Sequence, residues 1–394
     1  MTSESLAVAR ARVRVAELDK EIERLQLSIH ALCLEREKFQ QTLADYKYPV
    51  LTLPTEITSE ILTRFLPPWP QRPEFKGPYS PSFLLGICRQ WRDVALSTPE
   101  LWSTMRLDIK APDGPQLRAR ELISLESWLQ RSGDCPLSLD LSCVDMRVPS
   151  SSLQTSSSLQ PFVDAILRHA SRLQSLEICL PLDNLRSIKG SMPLLRSLTM
   201  GPNTELLDPA PSERRLHLFT DAPRMENLIL FTFFNPFYII LPWAQITSVT
   251  ASLYVYEAAE IMRNAAALEI LIVVVYNVSE PNLPIAPIPP LSSLHTLVFK
   301  SFSGGAEEST GIPALFDALS LPALLSLSTY ECFLGSDPVG AIASLRPTGC
   351  LLRVQILAAS TSRGVYEKAF SDTEFVVEEV EEDEDEDESG DDSD

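Results

Sequence analysis

The sequence predicts a mixed α/β chain (α+β in its overall content) in four consecutive pieces. A coiled-coil helix spans residues 1–48 and a module of three short helices spans 49–104. An array of parallel strands with mixed returns follows over 105–371, and an acidic disordered tail over 372–394. Three observations carry this reading. Apolar residues step by three and four without a slip through the first piece. Proline-led helix starts cluster in the second. A Leu-x-x-Leu-x-Leu pattern returns at intervals of 21 to 30 residues through the third.

With 394 residues, 45% of them hydrophobic and 22% charged, the chain can bury a sizeable core. Its 31 prolines and 14 glycines favour many short elements and disfavour glycine-rich phosphate loops. The net charge is −20, but residues 378–394 hold thirteen acidic residues and no basic one, so the remainder stands at −20 + 13 = −7. No basic stripe appears, so a nucleic-acid partner is not expected. The seven cysteines (33, 88, 135, 143, 179, 332, 350) form no Cys-x-x-Cys pair. Without a leader-like apolar region they read as reduced thiols of a cytoplasmic or nuclear protein. No run of 18 apolar residues occurs, so no membrane span is expected.

In the first piece the seam runs Val8, Ala11, Val15, Leu18, Ile22, Leu25, Ile29, Leu32, Arg36, Phe39, Leu43, Tyr46. This is a heptad a/d pattern of about five repeats, interrupted only by Arg36. Glycine is absent, and Pro49 stops the helix. The pattern suits a coiled coil that forms a homodimer or higher oligomer; a helix folded back on its own domain, or a lone amphipathic helix, has the same periodicity.

In the second piece Pro54 suits a first helical position, and Glu56 favours the positive helix start. Ile57, Ile61, Leu62 and Phe65 make one apolar face. Prolines 67, 68, 70, 73 and 78 then impose a loop over 67–80. Ser80-Pro81 restarts a helix with Leu84, Ile87, Cys88, Trp91 and Ala95 on one side, and Thr98-Pro99 starts a third carrying Leu101 and Trp102. About 50 residues are marginal as an independent fold, so these faces need the rest of the chain or a partner.

The order Leu-Pro-x-Glu-Ile…Ile-Leu…Ile-Cys-Arg-x-Trp-Arg-x-Val-Ala…Pro-x-Leu-Trp over residues 53–102 resembles the F-box. It is most similar to the F-box-like proteins abundant in mushroom-forming fungi. The 67–80 insert is longer than the link usual in that family. The resemblance implies a three-helix module that docks onto the small adaptor Skp1, and through it onto a cullin ligase core. By position, the docking residues it implies are Leu53, Pro54, Ile57, Ile61 and Leu62, with Ile87, Cys88, Trp91, Val94 and Ala95. Trp91 and Trp102 suit equally the filling of a junction with the next domain.

In the third piece the repeats start at Leu173, Leu195, Met225, Ile246, Leu268, Leu294, Leu324 and Leu351, with an earlier strand at 137–141. This is similar to a degenerate leucine-rich repeat, and implies a solenoid of parallel strands. Period two points Leu176 and Ile178 inward and Glu177 outward, with Arg196 also on the outside. Helical returns are expected at 162–172, 255–266 and 312–319. The asparagine or cysteine that usually follows the strand, and whose side chain builds a hydrogen-bond ladder, occurs only as Asn203 and Cys332. Phe231, Phe233, Phe234, Phe237, Tyr238, Trp243, Tyr254 and Tyr256 are either anchors for a partner or core filling. The acidic tail cannot bury a core, and Ser389 and Ser393 within it suit an acid-directed kinase.

No catalytic motif appears. His30, His169, His217 and His295 are isolated, and no Gly-x-Ser-x-Gly, His-Glu-x-x-His, P-loop or Gly-x-Gly-x-x-Gly occurs. No metal site or cofactor is expected, and the chain reads as a non-enzyme. Two functions remain. One is the substrate-recognition subunit of a Skp1–cullin–F-box ubiquitin ligase, with a protein target held on the repeats. The other is a non-ligase scaffold whose F-box-like helices cap the array.

Overall fold

The computed structural model describes residues 3–45, 49–68, 70–109, 115–143, 153–202, 219, 221–230, 239–275, 285–301, 311–345, 352–359, 361–370 and 372–379. The chain divides into two compact units, Met1–Ile61 and Leu62–Asp394. The division falls inside the expected 49–104 module, so residues 62–104 share a unit with the strands that follow.

The first unit is dominated by α1 (Ser3–Asp45), 43 residues long. From Ala7 to Leu43 every side chain except Cys33 is exposed. Exposed pairs such as Arg14–Glu17 (3.0 Å) and Arg24–Glu21 (2.6 Å) decorate its polar sides. A 3-10 turn (Pro49–Thr52) leads into α2 (Thr55–Arg64), whose start belongs to this unit. Pro54 lies just before α2 rather than at its first position. Its carbonyl receives the Thr58 N–H (3.0 Å) and the Thr58 hydroxyl (3.1 Å).

The second unit begins with the last turn of α2, then α3 (Pro81–Leu84), α4 (Arg89–Leu96) and a 3-10 turn (Pro99–Trp102). The chain then alternates: β1 (Thr104–Ile109), α5 (Pro115–Arg131), β2 (Leu137–Cys143), α6 (Leu153–Leu167), β3 (Leu173–Leu180), α7 (Leu182–Arg186). Next come β4 (Ser197–Pro202), β5 (Asn227–Leu230), β6 (Ser248–Leu253), α8 (Val255–Asn264), β7 (Ile270–Val275) and β8 (Thr296–Ser301). The last elements are α9 (Gly311–Asp317), β9 (Ser326–Tyr330), α10 (Pro338–Ser344), β10 (Arg353–Ala359), α11 (Arg363–Ala369) and β11 (Glu374–Glu379). The eleven strands form one parallel sheet, and their order in it is their order in the chain.

The register explains the leucine pattern. Met105, Leu139, Leu176, Leu198, Leu228, Val249, Leu271, Leu297, Leu327, Val354 and Phe375 are paired in succession, one from each strand. None is more than 2% exposed. A slip of one residue would turn any strand's inward set toward solvent, so this row holds the register. The opening leucine of a repeat sits two residues before its strand, as Leu195, Leu268 and Leu294 do. The carbonyl of the residue after it takes two N–H groups from the next repeat. Arg196 accepts from Glu226 and Asn227 (both 2.9 Å), Glu226 from Thr247 (2.9 Å) and Ser248 (3.0 Å), and Thr247 from Glu269 (2.7 Å) and Ile270 (3.0 Å). The series continues to Leu352, which accepts from Glu374 at 2.8 Å. Backbone groups thus supply a ladder where few side-chain asparagines are present.

The expected returns at 162–172, 255–266 and 312–319 correspond to α6 with a following 3-10 turn, α8 and α9. Helices α5, α7, α10 and α11, and strands β1 and β11, were not anticipated. The tail boundary at 372 is corrected: Phe375 is 2% exposed and stacks with Tyr366 (5.5 Å) and Phe370 (5.7 Å). Residues 380–394 lie outside the described residues, as do Tyr46, Asn203, His217, Phe231, Phe233, Phe234, Phe237 and Tyr238.

Candidate functional site

The F-box-like residues distribute unevenly between solvent and core. In the first unit Ile57 and Ile61, one turn apart on α2, are 49% and 41% exposed, Pro54 is exposed and Leu53 half-buried. In the second unit Ile87 is 48% exposed, and Cys88 and Trp91 are half-buried. Leu62, Val94 and Ala95 are inside the core of that unit (0%, 6% and 0% exposed). These three hold the module together and offer no area to a partner.

The single helix expected after Ser80 is two helices. Ser80 caps α3, its hydroxyl accepting the Ser82 N–H at 3.2 Å. The chain then turns at Gly86. Cys88 caps α4, its Sγ accepting the Trp91 N–H at 3.4 Å. Arg92 Nε donates to the Leu85 carbonyl (2.8 Å), satisfying a group the break leaves open. Ile87 and Cys88 therefore lie in a turn, not on a helix face. Beside them Phe65 stacks on Phe83 (6.3 Å) and meets Tyr79 at 6.4 Å. Phe83 and Tyr79 are 52% and 63% exposed, an aromatic patch the sequence pattern did not reveal.

The 67–80 insert is not a free loop. Arg106 on β1 accepts the Phe75 N–H at its carbonyl (2.8 Å) and donates its own N–H to Pro73 (2.9 Å), so the insert covers part of the first sheet edge. Phe75 is buried against Trp128 of α5 (5.5 Å), which meets Trp102 edge-on at 5.0 Å. Trp102 Nε1 donates to the Ala95 carbonyl (2.8 Å), and the Arg131 guanidinium lies over its ring at 4.7 Å. Trp102 thus fills the junction between module and strands. Gly77, at φ +124°, makes the turn into α3 that a residue with a Cβ would strain.

Arg72 reaches further, across β2 and β3. Its Nη1 donates to Glu177 Oε2 (2.7 Å), its Nε to Ser138 Oγ (3.1 Å) and its Nη2 to Ser175 Oγ (3.0 Å). Glu177 does point outward as period two predicts, but into this contact. In register with it stand Asp140 and Arg106, at 3.6 Å from one another. Burial first, and the neighbouring Glu177 second, push the Asp140 carboxyl up to about 6, against the Ser142 hydroxyl and the two arginines. A proline-rich segment carries no periodicity, so nothing in the sequence marked Arg72 or Phe75.

Farther along, the outward side chains change character. Ile229, Ile270, Ile272, Val274 and Val298 are half-buried on β5, β7 and β8. The Tyr254 and Tyr256 rings, stacked at 5.7 Å, follow β6 and are half-buried, as is Trp243. Among the described residues no group of three His, Cys, Asp or Glu side chains could hold a metal ion. Among them, too, no helix is long and apolar enough to cross a membrane. Comparison of the chain with protein-family models and with curated proteins finds no match.

Proposed function

We propose that this chain is the substrate-recognition subunit of a Skp1–cullin–F-box ubiquitin ligase, with the parallel-stranded region as a leucine-rich-repeat-like solenoid that binds the target protein. The observation that carries this reading is the ordered set of typed positions over 53–102, with Ile57, Ile61 and Ile87 each exposed. The exposed Phe83 and Tyr79 rings add apolar area to the same module and favour a partner there. The strictly sequential parallel sheet is the arrangement expected of stacked repeats, and its half-buried isoleucines and valines suit a protein target. In this reading the chain performs no chemistry. It holds target lysines near a separate enzyme and raises their effective concentration. Such a machine works in the cytoplasm or nucleus.

A second reading has a specific observation in its favour. Leu62, Val94, Ala95 and Trp102 are packed into the unit that contains the strands, as a cap on a scaffold would be. Co-purification with Skp1 separates the two. The ligase reading expects a stoichiometric complex that is lost in Leu53→Ala/Pro54→Ala/Ile57→Ala, and weakened in Ile87→Glu and Phe83→Ala. Folded wild-type protein that retains no Skp1 would leave the scaffold reading standing.

A further inference from the structure

We propose that α1 is a self-association element through which two copies of this protein pair in parallel and in register. The inference concerns the Met1–Ile61 unit alone and does not depend on the ligase reading. Its occupant is a second copy of this chain, and four observations point to it.

The seam is open. Leu18, Ile22, Leu25 and Ile29 are 46%, 51%, 47% and 61% exposed, on a 43-residue helix whose described side chains are nearly all in solvent. A stripe of that length and regularity is stabilised by pairing far more than by helix propensity.

The side-chain shapes select the stoichiometry. With Val8 as position a, the seam from Val15 to Leu32 holds Val15, Ile22 and Ile29 at a and Leu18, Leu25 and Leu32 at d; outside it Ala11 and Phe39 stand at d, and Arg36 and Leu43 at a. β-Branched residues at a with leucine at d is the combination that packs two parallel strands; isoleucine at both, or the two exchanged, moves to three or four.

The single polar seam residue selects the register. Arg36 occupies an a position. In a parallel, in-register pair the two Arg36 side chains share one a layer, and each lies beside the preceding g position of the other copy, Glu35, whose charge offsets their repulsion. Any shifted register sets Arg36 against an apolar layer instead.

The flanks supply one complementary charge pair and no repulsive one. In the same pairing each g position faces the e position five residues on in the other copy. Arg14 then faces Asp19, Glu21 faces Gln26, and Glu35 faces Gln40, with no like-charged pair. Arg14 is held in its own helix only by an exposed contact to Glu17, which leaves it available to Asp19 of the other copy. Leu27 and Leu34, 68% and 55% exposed, lie at f, on the side away from this seam.

The test is the mass of the full chain by sedimentation equilibrium at micromolar concentration. The expected mass is twice 43.8 kDa. Ile22→Glu/Ile29→Glu should halve it while the thermal transition of the strand-bearing unit stays in place, whereas Leu27→Gln/Leu34→Gln should leave it doubled. Leu18→Cys in a Cys33→Ser background should form an interchain disulfide on mild oxidation, because a parallel, in-register pair sets the two positions side by side at a d layer. A monomeric wild type, a threefold or fourfold mass, a doubled mass that survives Ile22→Glu/Ile29→Glu, dissociation by the Leu27/Leu34 changes, or failure of the Leu18→Cys cross-link would each overturn the proposal.

Discussion

Replacing Arg72 with methionine asks whether the 67–80 insert is a structural tie or a dispensable loop. Methionine keeps the stem and removes three donors. The guanidinium side chain is only 10% exposed and Glu177 26%, so the pair is largely withdrawn from water. Breaking a fully buried pair by removing one partner costs about 3–5 kcal/mol. Partial solvation at Glu177 lowers the expected loss here to about 2–3 kcal/mol at neutral pH. The sign of the pH dependence follows from Asp140, whose raised carboxyl pKa is held down in part by Arg72. Without Arg72 that pKa rises further. At about pH 8 Asp140 is ionised with or without Arg72, so the variant bears the whole electrostatic loss; at about pH 5 Asp140 is protonated in both folded proteins, and that share vanishes. Urea unfolding followed by the fluorescence of Trp102 and Trp128, which adjoin the insert through Phe75, reads both conditions. A loss below about 0.5 kcal/mol at pH 8, the range of ordinary surface changes, or a larger loss at pH 5 than at pH 8, would refute the reasoning.

Two further changes probe the same unit. Asp140 has a folded pKa of about 6 against a usual 3.8, so its contribution is fully present below the lower value and is lost as pH rises through the upper one. Asp140→Asn should match wild type near pH 4 and exceed it by on the order of 3 kcal/mol at pH 8; equal stability at both would show that the carboxylate is not strained. Phe375→Ala should cost about 3–5 kcal/mol in denaturant unfolding, since it empties a buried site stacked on Tyr366 and Phe370. No change would mean that β11 adds nothing to the sheet.

What could be read from the chain alone was whatever repeats with a structural period. The heptad of α1 and the Leu-x-x-Leu-x-Leu starts are periodic, and the structure has a helix and strands there. The helix start at Ser80-Pro81 was legible because capping is local chemistry, whereas Thr98 makes no side-chain cap and Pro99 opens a 3-10 turn in place of the expected third helix. Elements outside those patterns were missed. Strand β11 hides Phe375 and two valines among acids, while β1 does alternate with period two but lacks the Leu-x-x-Leu-x-Leu start of the other strands. The apolar spacing after Ser80 fits one helix, yet Gly86 and the Cys88 cap break it into α3 and α4.

The sequence by itself marked the long helix α1 and the inward row of strands β2 to β10, because such patterns depend on neighbours within a few residues. Only the tertiary structure decided which of the candidate docking positions remain in solvent. Leu62, Val94 and Ala95 carry the same apolar signature as Ile57, Ile61 and Ile87, yet the first three are enclosed and the others are not. Burial depends on what the distant chain brings up, and a local pattern contains no information about that. The same holds for Arg72. Its partners Ser138, Ser175 and Glu177 lie 66 to 105 residues away, and only the register of β2 and β3 sets them side by side.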